Sequence, residues 1–269
     1  MAGSAGVKIF VHPSGDNTFN GRTWANAVAT IAAAQTLCTS GRGDTIVIAP
    51  HTSAYAAVDI TKDYITIDAK VRDSGYARPD ITGAMVITGQ GFVMRHARHL
   101  GGILTIRSNG FYILDCMLEA DASDAVLLQG SSTDDGLSAS EGKIIGCMIR
   151  DSARGIRFKN AGGASGIGPS HVMVMGNVFT NITGEDVLDE DVAGSNDNCF
   201  WQCVVDENDH LDQNKAAYIT LTAGGANTGK VGGRFNVNTA LTSTHVAVAS
   251  GIDVVRAFDA NGLVDTSAF

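Results

Sequence analysis

The sequence is poor in the features that mark several large protein classes. Only 17% of its 269 residues are charged, against an average of about 25%, and the net charge is −9. Because there is no run of basic residues, we expect no nucleic acid and no anionic membrane among its partners. No apolar run approaches the roughly 18 residues of a membrane helix. The first six residues lack the basic and apolar segments of a secretory signal, so we expect the chain to fold in a cytoplasm or to leave it by a route other than that signal.

Cysteine is present, but not in a pattern that indicates disulfides or a metal site. The five cysteines are Cys38, Cys116, Cys147, Cys199 and Cys203. Their number is odd and no pair has CxxC spacing, which argues against a disulfide framework. Cys199 and Cys203 could begin a metal site, but no suitably spaced second pair exists. We therefore expect buried free thiols, no metal and no cofactor.

Glycine and apolar residues, in contrast, are plentiful, with 32 glycines and 44% apolar residues. Five segments share one pattern, in which an apolar strand is followed by a small or polar corner and a second apolar strand. They lie at 112–118, 143–149, 173–179, 199–205 and 229–235. The centres at 116, 147, 177, 203 and 234 are separated by 31, 30, 26 and 31 residues. This regularity indicates a structural repeat.

A third short strand follows each segment, at 125–128, 155–158, 186–188, 217–221 and 245–248. Three such strands fit one coil of a three-faced solenoid, in which neighbouring coils pair in parallel around a common core. A leucine-rich repeat would need a leucine spacing and a helix that are missing, and an antiparallel sandwich does not require this triplet register. The sequence predicts an all-β fold, a right-handed single-stranded parallel β-helix of about seven coils, with an internal stack spaced about 4.8 Å apart. The predicted stack contains Cys116, Cys147, Asn177 and Cys203.

One helix is predicted ahead of the coils. Trp24, Ile31 and Cys38 share a helical stripe, and Thr23 is placed as the N-cap. An N-terminal capping α-helix here would cover the open apolar end of the column, as terminal repeats require. We therefore divide one structural domain into an N-terminal strand and capping helix (1–43), the parallel β-helix (44–250) and a C-terminal cap or docking tail (251–269).

The opening of the chain resembles a known superfamily. The segments Ile9–Asn17, Gly21–Ala27 and Gly43–Pro50 contain an extended strand, a Gly/Asp/Asn turn, a helix and the entry motif Gly-Asp-Thr-Ile-x-Ile-x-Pro. Together with the asparagine corner at Gly176–Phe179, they resemble the pectate-lyase-like right-handed parallel β-helix proteins. That superfamily includes lyases, hydrolases and many phage virion components, so the resemblance implies the fold more strongly than any activity.

An acidic run offers the most enzyme-like chemistry, at Glu185–Asp191. By resemblance, β-helix lyases use clustered carboxylates to hold Ca²⁺ against a uronate, with an Arg or Lys as base, and hydrolases use aspartates for acid and base work. The alternative catalytic set would be Asp186, Asp189, Glu190 and Arg154. Arg154, Arg157 and Lys159 lie one coil earlier, and a basic rung stacked on an acidic rung explains both as cross-strand ion pairs. We therefore expect no catalytic residue, and only a modest cost in stability if the three carboxylates are removed.

Two histidines lie three residues apart in the run Arg95–His99. A metal site would need a third ligand that the sequence does not indicate, and the neighbouring arginines repel a cation. We therefore expect this run to form a solvated or subunit-facing edge.

These features lead to three functional hypotheses. The first is a bacteriophage virion structural protein, a capsid decoration (cement) or small spike protein that is homotrimeric, binds the major capsid or other virion proteins, and resides in the virion. By resemblance, depolymerases on this fold have more coils, and virion enzymes add an N-terminal adaptor for which the helix near residue 24 leaves no room. The second is a polysaccharide lyase or hydrolase acting on an acidic polysaccharide, and the third is a carbohydrate-binding module.

Overall fold

The computed structural model describes residues 5–69, 78–131, 137–160, 168–190, 200–213, 215–222, 228–237, 242–248, 252–259 and 262–263. The chain is a right-handed parallel β-helix, as the repeat predicts. The strands, in chain order, are β1 (Lys8–Val11), β2 (Thr45–Ile48), β3 (Tyr55–Ala56), β4 (Thr66–Ala69), β5 (Asp80–Thr82), β6 (Met85–Ile87), β7 (Val93–Arg95), β8 (Arg98–Leu100), β9 (Leu104–Ile106), β10 (Tyr112–Leu114), β11 (Met117–Glu119), β12 (Asp124–Gln129), β13 (Lys143–Ile145), β14 (Met148–Ser152), β15 (Arg154–Lys159), β16 (Met173–Met175), β17 (Val178–Ile182), β18 (Val187–Glu190), β19 (Trp201–His210), β20 (Ile219–Leu221), β21 (Thr228–Phe235), β22 (Val246–Val248), β23 (Ile252–Asp259) and β24 (Gly262–Leu263).

Each complete coil contributes strand residues to each of three faces. Face 1 consists of β1, β2, β4, β7, β10, β13 and β16, followed by the first halves of β19, β21 and β23. Face 2 consists of β3, β5, β8, β11, β14 and β17, followed by the second halves of the same three long strands. Face 3 consists of β6, β9, β12, β15, β18, β20 and β22.

The number of coils agrees with the prediction of about seven. Within the described residues, seven coils from β4 to β22 place strand residues on all three faces. β2 and β3 precede them, with only the bridge between Ile60 and Ile87 on face 3, and β23 follows them. Coil length varies along the column, since Ile46 pairs with Ile67 and Met94 with Ile113, which are closer in sequence than Ile113 and Ile144.

The core is a set of files of side chains that run along the column axis. Alternating burial along each strand sends every second residue inward, and parallel register places equivalent residues above one another. The file under face 1 is aliphatic and fully buried: Ile9, Ile46, Ile67, Met94, Ile113, Ile144, Val174, Val205 and Val231. Full burial of such a side chain stabilises the fold by about 1.5–3 kcal/mol.

The internal corner stack differs from the prediction at its fourth position. Cys116, Cys147 and Asn177 stack as expected, but the next residue is Asn208, because Val178 pairs with Asp209. Cys203 lies one position before face 1, where its Sγ accepts a hydrogen bond from the Val172 amide at 3.4 Å. The predicted step of 26 residues from Asn177 to Cys203 is therefore wrong, and the stack continues at Asn208.

The two asparagines of the corner stack form a hydrogen-bonded ladder. The Asn177 side chain accepts from the Cys147 amide (2.9 Å) and donates to the Ile144 carbonyl and to Asn208 Oδ1 (both 3.0 Å). Asn208 in turn donates to the Val174 carbonyl at 2.9 Å. The backbone groups of these tight buried corners are thereby satisfied.

The N-terminal cap is formed by two short helices instead of one. Thr23 caps a single 3₁₀ turn at Trp24–Asn26, and a second threonine, Thr30, caps the α-helix α1 (Ile31–Leu37). Ile31 and Ala34 of α1 are buried against the first coil, as the capping role requires. No helix in the described parts of the chain combines the length and apolarity needed to cross a bilayer.

The column continues past residue 250. β23 pairs in parallel with β21 over both face 1 and face 2, and β24 pairs with it in antiparallel orientation. Residues 252–259 therefore add to the column, and only part of the predicted docking tail of 251–269 remains beyond it. Residues 264–269 lie outside the described residues.

Candidate functional site

The carboxylates predicted as a possible catalytic set do not converge. On β18 the inward positions are Val187 and Asp189, and Glu190 points outward. Asp186 has no exposed surface and Asp189 is 3% exposed, so a ligand on the outer surface cannot reach either one. Arg154, the fourth member of that set, lies on the outside near Asp124 and Glu185.

Asp186 belongs to a buried ionic cluster inside the column. Its carboxylate accepts from Lys215 Nζ and lies 2.8 Å from His210 Nδ1, so that this ring nitrogen carries the proton. The His210 ring stacks between Phe179 (centroids 5.0 Å apart) and Phe235 (4.6 Å). The expected modest cost of removing the acidic run is thereby corrected for Asp186, because breaking a buried ion pair leaves an uncompensated charge.

Glu190 forms the ion pairs that the sequence predicts between a basic and an acidic rung. Its carboxylate pairs with Arg157 and, at 3.3 Å, with Lys159 of the preceding coil. Partial burial raises the pKa of Glu190, but the two cations outweigh burial and hold this pKa below its ordinary value. Arg157 also pairs with Asp124 at 2.7 Å, so the ladder extends across two coil boundaries.

A second ladder of ion pairs lies on face 2. Arg98 and Arg150 both bind the Glu119 carboxylate, with closest contacts of 2.9 and 2.8 Å. Partial burial of Glu119 raises its pKa, and the two guanidinium groups overcome this effect and lower it. These residues line a shallow groove of about 450 Å³ that also contains Asp121 and Asp151.

The two histidines of the run Arg95–His99 point in opposite directions. His96 lies at a corner with φ of 62°, beside Asp68, and His99 is fully buried between Ile81 and Leu118 in the file under face 2. The expectation of a solvated edge is therefore wrong for His99. Burial lowers the pKa of His99 to about 4, and the nearby Gly83 backbone opposes this shift only in part.

The predicted thiols are buried and free at four of the five positions. Cys38, Cys116, Cys147 and Cys203 form no disulfide, and Cys199 lies outside the described residues. Burial raises the pKa of Cys203 to about 12, which keeps this thiol protonated and unreactive. Within the described ranges, no three His, Cys, Asp or Glu side chains converge as metal ligands would.

A corner groove between faces 1 and 2 was not predicted. β19 turns this corner through Asp206 and Glu207, whereas β21 turns it through fewer residues, so the register shifts by one residue between the two strands. The resulting notch has a volume of about 380 Å³ and is lined by Asp206, Glu207, Asp209, Gly233, Arg234 and Phe258. Arg234 Nη1 lies 3.7 Å from Asp209 Oδ1 and the Arg234 side chain is 77% exposed. The only sequence signal was Gly232-Gly233, which breaks the strand pattern.

A largely apolar surface covers part of face 1 and the adjoining edge of face 2. Three successive coils place nine side chains there in register, and eight of them are apolar. We call these eight the apolar outer patch: Tyr112, Leu114, Met117, Ile145, Met148, Met173, Met175 and Val178. All are partly exposed, with Tyr112 at 37%. The ninth is Lys143, whose Nζ lies 5.8 Å from the Tyr112 ring centroid.

The apolar outer patch can be recognised in the sequence from apolar residues at positions that point outward. Apart from Lys143, the strands at 112–114, 143–145 and 173–175 are apolar at outward as well as inward positions, in place of the usual alternation. Parallel strands have continuous apolar sequences of this kind when both faces of the sheet are covered. Contiguous apolar side chains that remain partly exposed are typical of interaction surfaces.

Comparisons with known proteins identify the fold. No protein-family model matches the chain, and no curated protein matches it. Among solved structures it is similar to pectate lyase Pel9A, with a TM-score of 0.51, 11% identity, and coverage of 99% of this chain and 79% of that one. ORF18 of Geobacillus virus E2 gives a TM-score of 0.49 at 11% identity over 86% of this chain, which spans only 58% of that chain's length. A rhamnogalacturonan lyase gives 0.44 at 14% identity, over 86% and 69%. At these identities the likeness shows the right-handed parallel β-helix fold alone.

Proposed function

We propose that the chain is a structural protein of a bacteriophage particle that acts by binding neighbouring subunits through its apolar outer patch. The decoration or small spike role expected from the sequence is the specific form of this proposal. The observation that carries it is the register of eight apolar side chains on the outside of three successive coils.

The charged side chains near the apolar outer patch form ion pairs, whereas its apolar side chains can gain free energy from a partner. The ladders at Glu119 and Glu190 pair carboxylates with arginine or lysine of neighbouring coils. Within the part of the chain that the structure describes, the apolar outer patch has no such match. Transfer of apolar surface from water releases about 25 cal/mol per Å², so a partner that covers the patch gains most of its binding free energy there.

The backbone around the patch also favours binding. Each strand of the patch is paired on both sides, so the surface is rigid and loses little conformational freedom when a partner docks. Rigid presentation suits a subunit that stabilises its neighbours without chemistry of its own.

The test is whether the chain is a component of particles. Particles from the virus that encodes it should be banded by density and analysed by mass spectrometry, and the chain should be present in a fixed ratio to the capsid subunits. Complementation with an Ile145→Lys variant should leave particles that lack the chain, because this change places a charge in the middle of the patch. Banded particles that never contain the wild-type chain would overturn the proposal.

A second candidate function is cleavage of an acidic polysaccharide, which the corner groove favours. Three carboxylates and the exposed Arg234 line this groove, and Phe258 supplies an aromatic surface on which a sugar ring can stack. The carboxylates could serve in proton transfer if a substrate lies within hydrogen-bond reach.

This second function is tested with polygalacturonate as the probe. Lyase cleavage produces an unsaturated uronide that absorbs in the ultraviolet, and hydrolysis produces reducing ends. Activity that Asp209→Asn and Arg234→Gln abolish would support an enzyme and displace the structural proposal. Absence of both signals over a range of divalent cations would remove polygalacturonate as a substrate.

A further inference from the structure

We infer that the partner on the apolar outer patch is a second copy of this chain, packed face to face with its column axis reversed. This inference rests on the proposed function, because it names the partner of the same surface. It depends on the side chains that border the patch at its two ends, one coil below it and one coil above it.

The two borders carry opposite charge in the same columns. The row below the patch consists of Val93, Arg95 and Arg98, which lie in register under Tyr112, Leu114 and Met117. The row above consists of Val204, Asp206 and Asp209, in register over Met173, Met175 and Val178. Each row therefore reads as one valine followed by two charged residues, basic below and acidic above.

A twofold axis perpendicular to the column would make this surface complementary to itself. Centred at the level of β13, the rotation places the lower row of one copy against the upper row of the other. Val93 then faces Val204, and Arg98 faces Asp209, whose side chains are 34% and 40% exposed. Asp206 is mostly covered, with 6% exposure, and contributes through its field. The contact is isologous, as twofold contacts are.

The same rotation places the apolar rows on one another. The coil containing β10 faces the coil containing β16, so Tyr112 meets Met173 and Leu114 meets Met175. In the central row Ile145 and Met148 meet their own counterparts. Lys143 also approaches its counterpart, at the edge of the contact, where Glu141 of the adjoining corner is exposed and Tyr112 holds the ammonium over its ring.

A parallel arrangement of two or three copies lacks this complementarity. In such an arrangement each coil would face the same coil of the neighbouring copy. Arg95 would then lie opposite Arg95 and Asp206 opposite Asp206, and like charges in contact oppose association. The exposed border charges also have partners within the chain: Arg95 pairs with Asp68, Arg98 with Glu119 and Asp80, and Asp209 with Arg234. The border charges therefore select the orientation, and the apolar rows supply the affinity.

The first experiment measures the mass of the full chain in solution by light scattering after gel filtration. We expect two copies for the wild type and one for Ile145→Lys, since the lysine would face its own counterpart. Val86→Lys is the matched control, because Val86 is an outward, partly exposed valine on face 3 and should leave two copies. Circular dichroism should show unchanged strand content in both variants, since both positions point outward.

The second experiment tests the orientation by disulfide cross-linking. Two Cys199→Ser chains are prepared, one with Val93→Cys and one with Val204→Cys, and tags of different length distinguish them by size. The two chains are mixed and oxidised. The four other cysteines are buried. The reversed arrangement predicts a cross-link between the two different chains. It predicts none between identical chains, because equal positions lie four coils apart, roughly 19 Å at 4.8 Å per coil.

The outcomes separate this inference from the proposed function. A mass of three copies, or cross-links confined to identical chains, would overturn the reversed twofold contact. A monomeric wild type whose Ile145→Lys variant is missing from particles would overturn it too, while the proposed function would stand. Two copies with the mixed cross-link, from a chain that particles never contain, would support the inference and defeat the proposed function.

Discussion

At the scale of single residues, the inside of the column decides what each polar side chain can do. The file under face 2 contains Ile81, His99, Leu118, Ile149, Phe179, His210 and Phe235. His99 lies between aliphatic neighbours, whereas His210 binds Asp186 and stacks on two aromatic rings. Two histidines at equivalent positions therefore experience very different environments.

The environment of His99 predicts a specific loss of stability in acid. Its pKa is about 4 in the folded chain and 6.5 when unperturbed, so the unfolded chain binds the proton first as the pH falls. The stabilisation is complete above pH 6.5 and is lost between there and about pH 4, at roughly 1.4 kcal/mol per pH unit. His99→Leu should flatten the free energy of unfolding over this range in denaturant titrations at several pH values. His171→Asn, at an exposed corner, is the control, and an equal effect of both variants would contradict the prediction.

The carboxylates of the acidic run should differ in their contribution to stability. Asp186→Asn leaves Lys215 and His210 without their buried anion, and should lower the free energy of unfolding by about 3–5 kcal/mol. Glu190→Gln removes ion pairs of a carboxylate that is 38% exposed, and should cost less than about 1 kcal/mol. Urea unfolding of the two variants measures both values. Similar small losses would show that the buried cluster does not contribute as argued.

At the scale of elements, the corners hold the coils in register as much as the strands do. Residues with positive φ recur once per coil where face 1 meets face 2: His96, Asp115, Gly146, Gly176 and Glu207. Each is followed by a buried residue of the corner stack. Gly146 fits this position because an added Cβ would lie 2.8 Å from Asp115 Oδ1, so a larger residue would crowd the coil below.

The asparagine ladder should be the most sensitive part of the corner stack. Asn177→Ala leaves the buried Cys147 amide and Ile144 carbonyl without their partners, at about 1–3 kcal/mol for each group. Cys147→Ala, one coil below in the same stack, removes only weak thiol hydrogen bonds and a small volume. We expect the first variant to lose at least twice as much unfolding free energy as the second. Equal losses would show that filling the corner matters more than satisfying its polar groups.

At the scale of the whole molecule, the column is a linear array in which each coil contacts its neighbours. β23 pairs with β21 below it, and its described contacts extend no further down the column. Stability is therefore close to a sum of coil and interface contributions, and a change at one end reaches the other weakly. The apolar outer patch, on coils in the middle, is presented by the best-supported part of the array.

Deletion of residues 252–269 tests this independence. Among the described residues, the deletion removes β23, β24 and the interface between β23 and β21, so the strand content by circular dichroism should change little. Amide hydrogen exchange should quicken in β21 and remain slow in β10 to β17. Uniformly faster exchange throughout the column would show that the array unfolds as one cooperative unit.

The sequence by itself determined the fold class, because five repeated segments, each with a third short strand, fit stacked parallel coils. It also placed Cys116, Cys147 and Asn177 in one stack and paired Glu190 with the basic rung. Only the tertiary structure decided which residue continues the stack after Asn177, since coil lengths vary and a cysteine at 203 looks equivalent to Asn208. It also decided that Asp186 and His99 are internal and that eight outward side chains align. Side-chain direction depends on register, and a shift of one residue sends a side chain to the other side of the sheet.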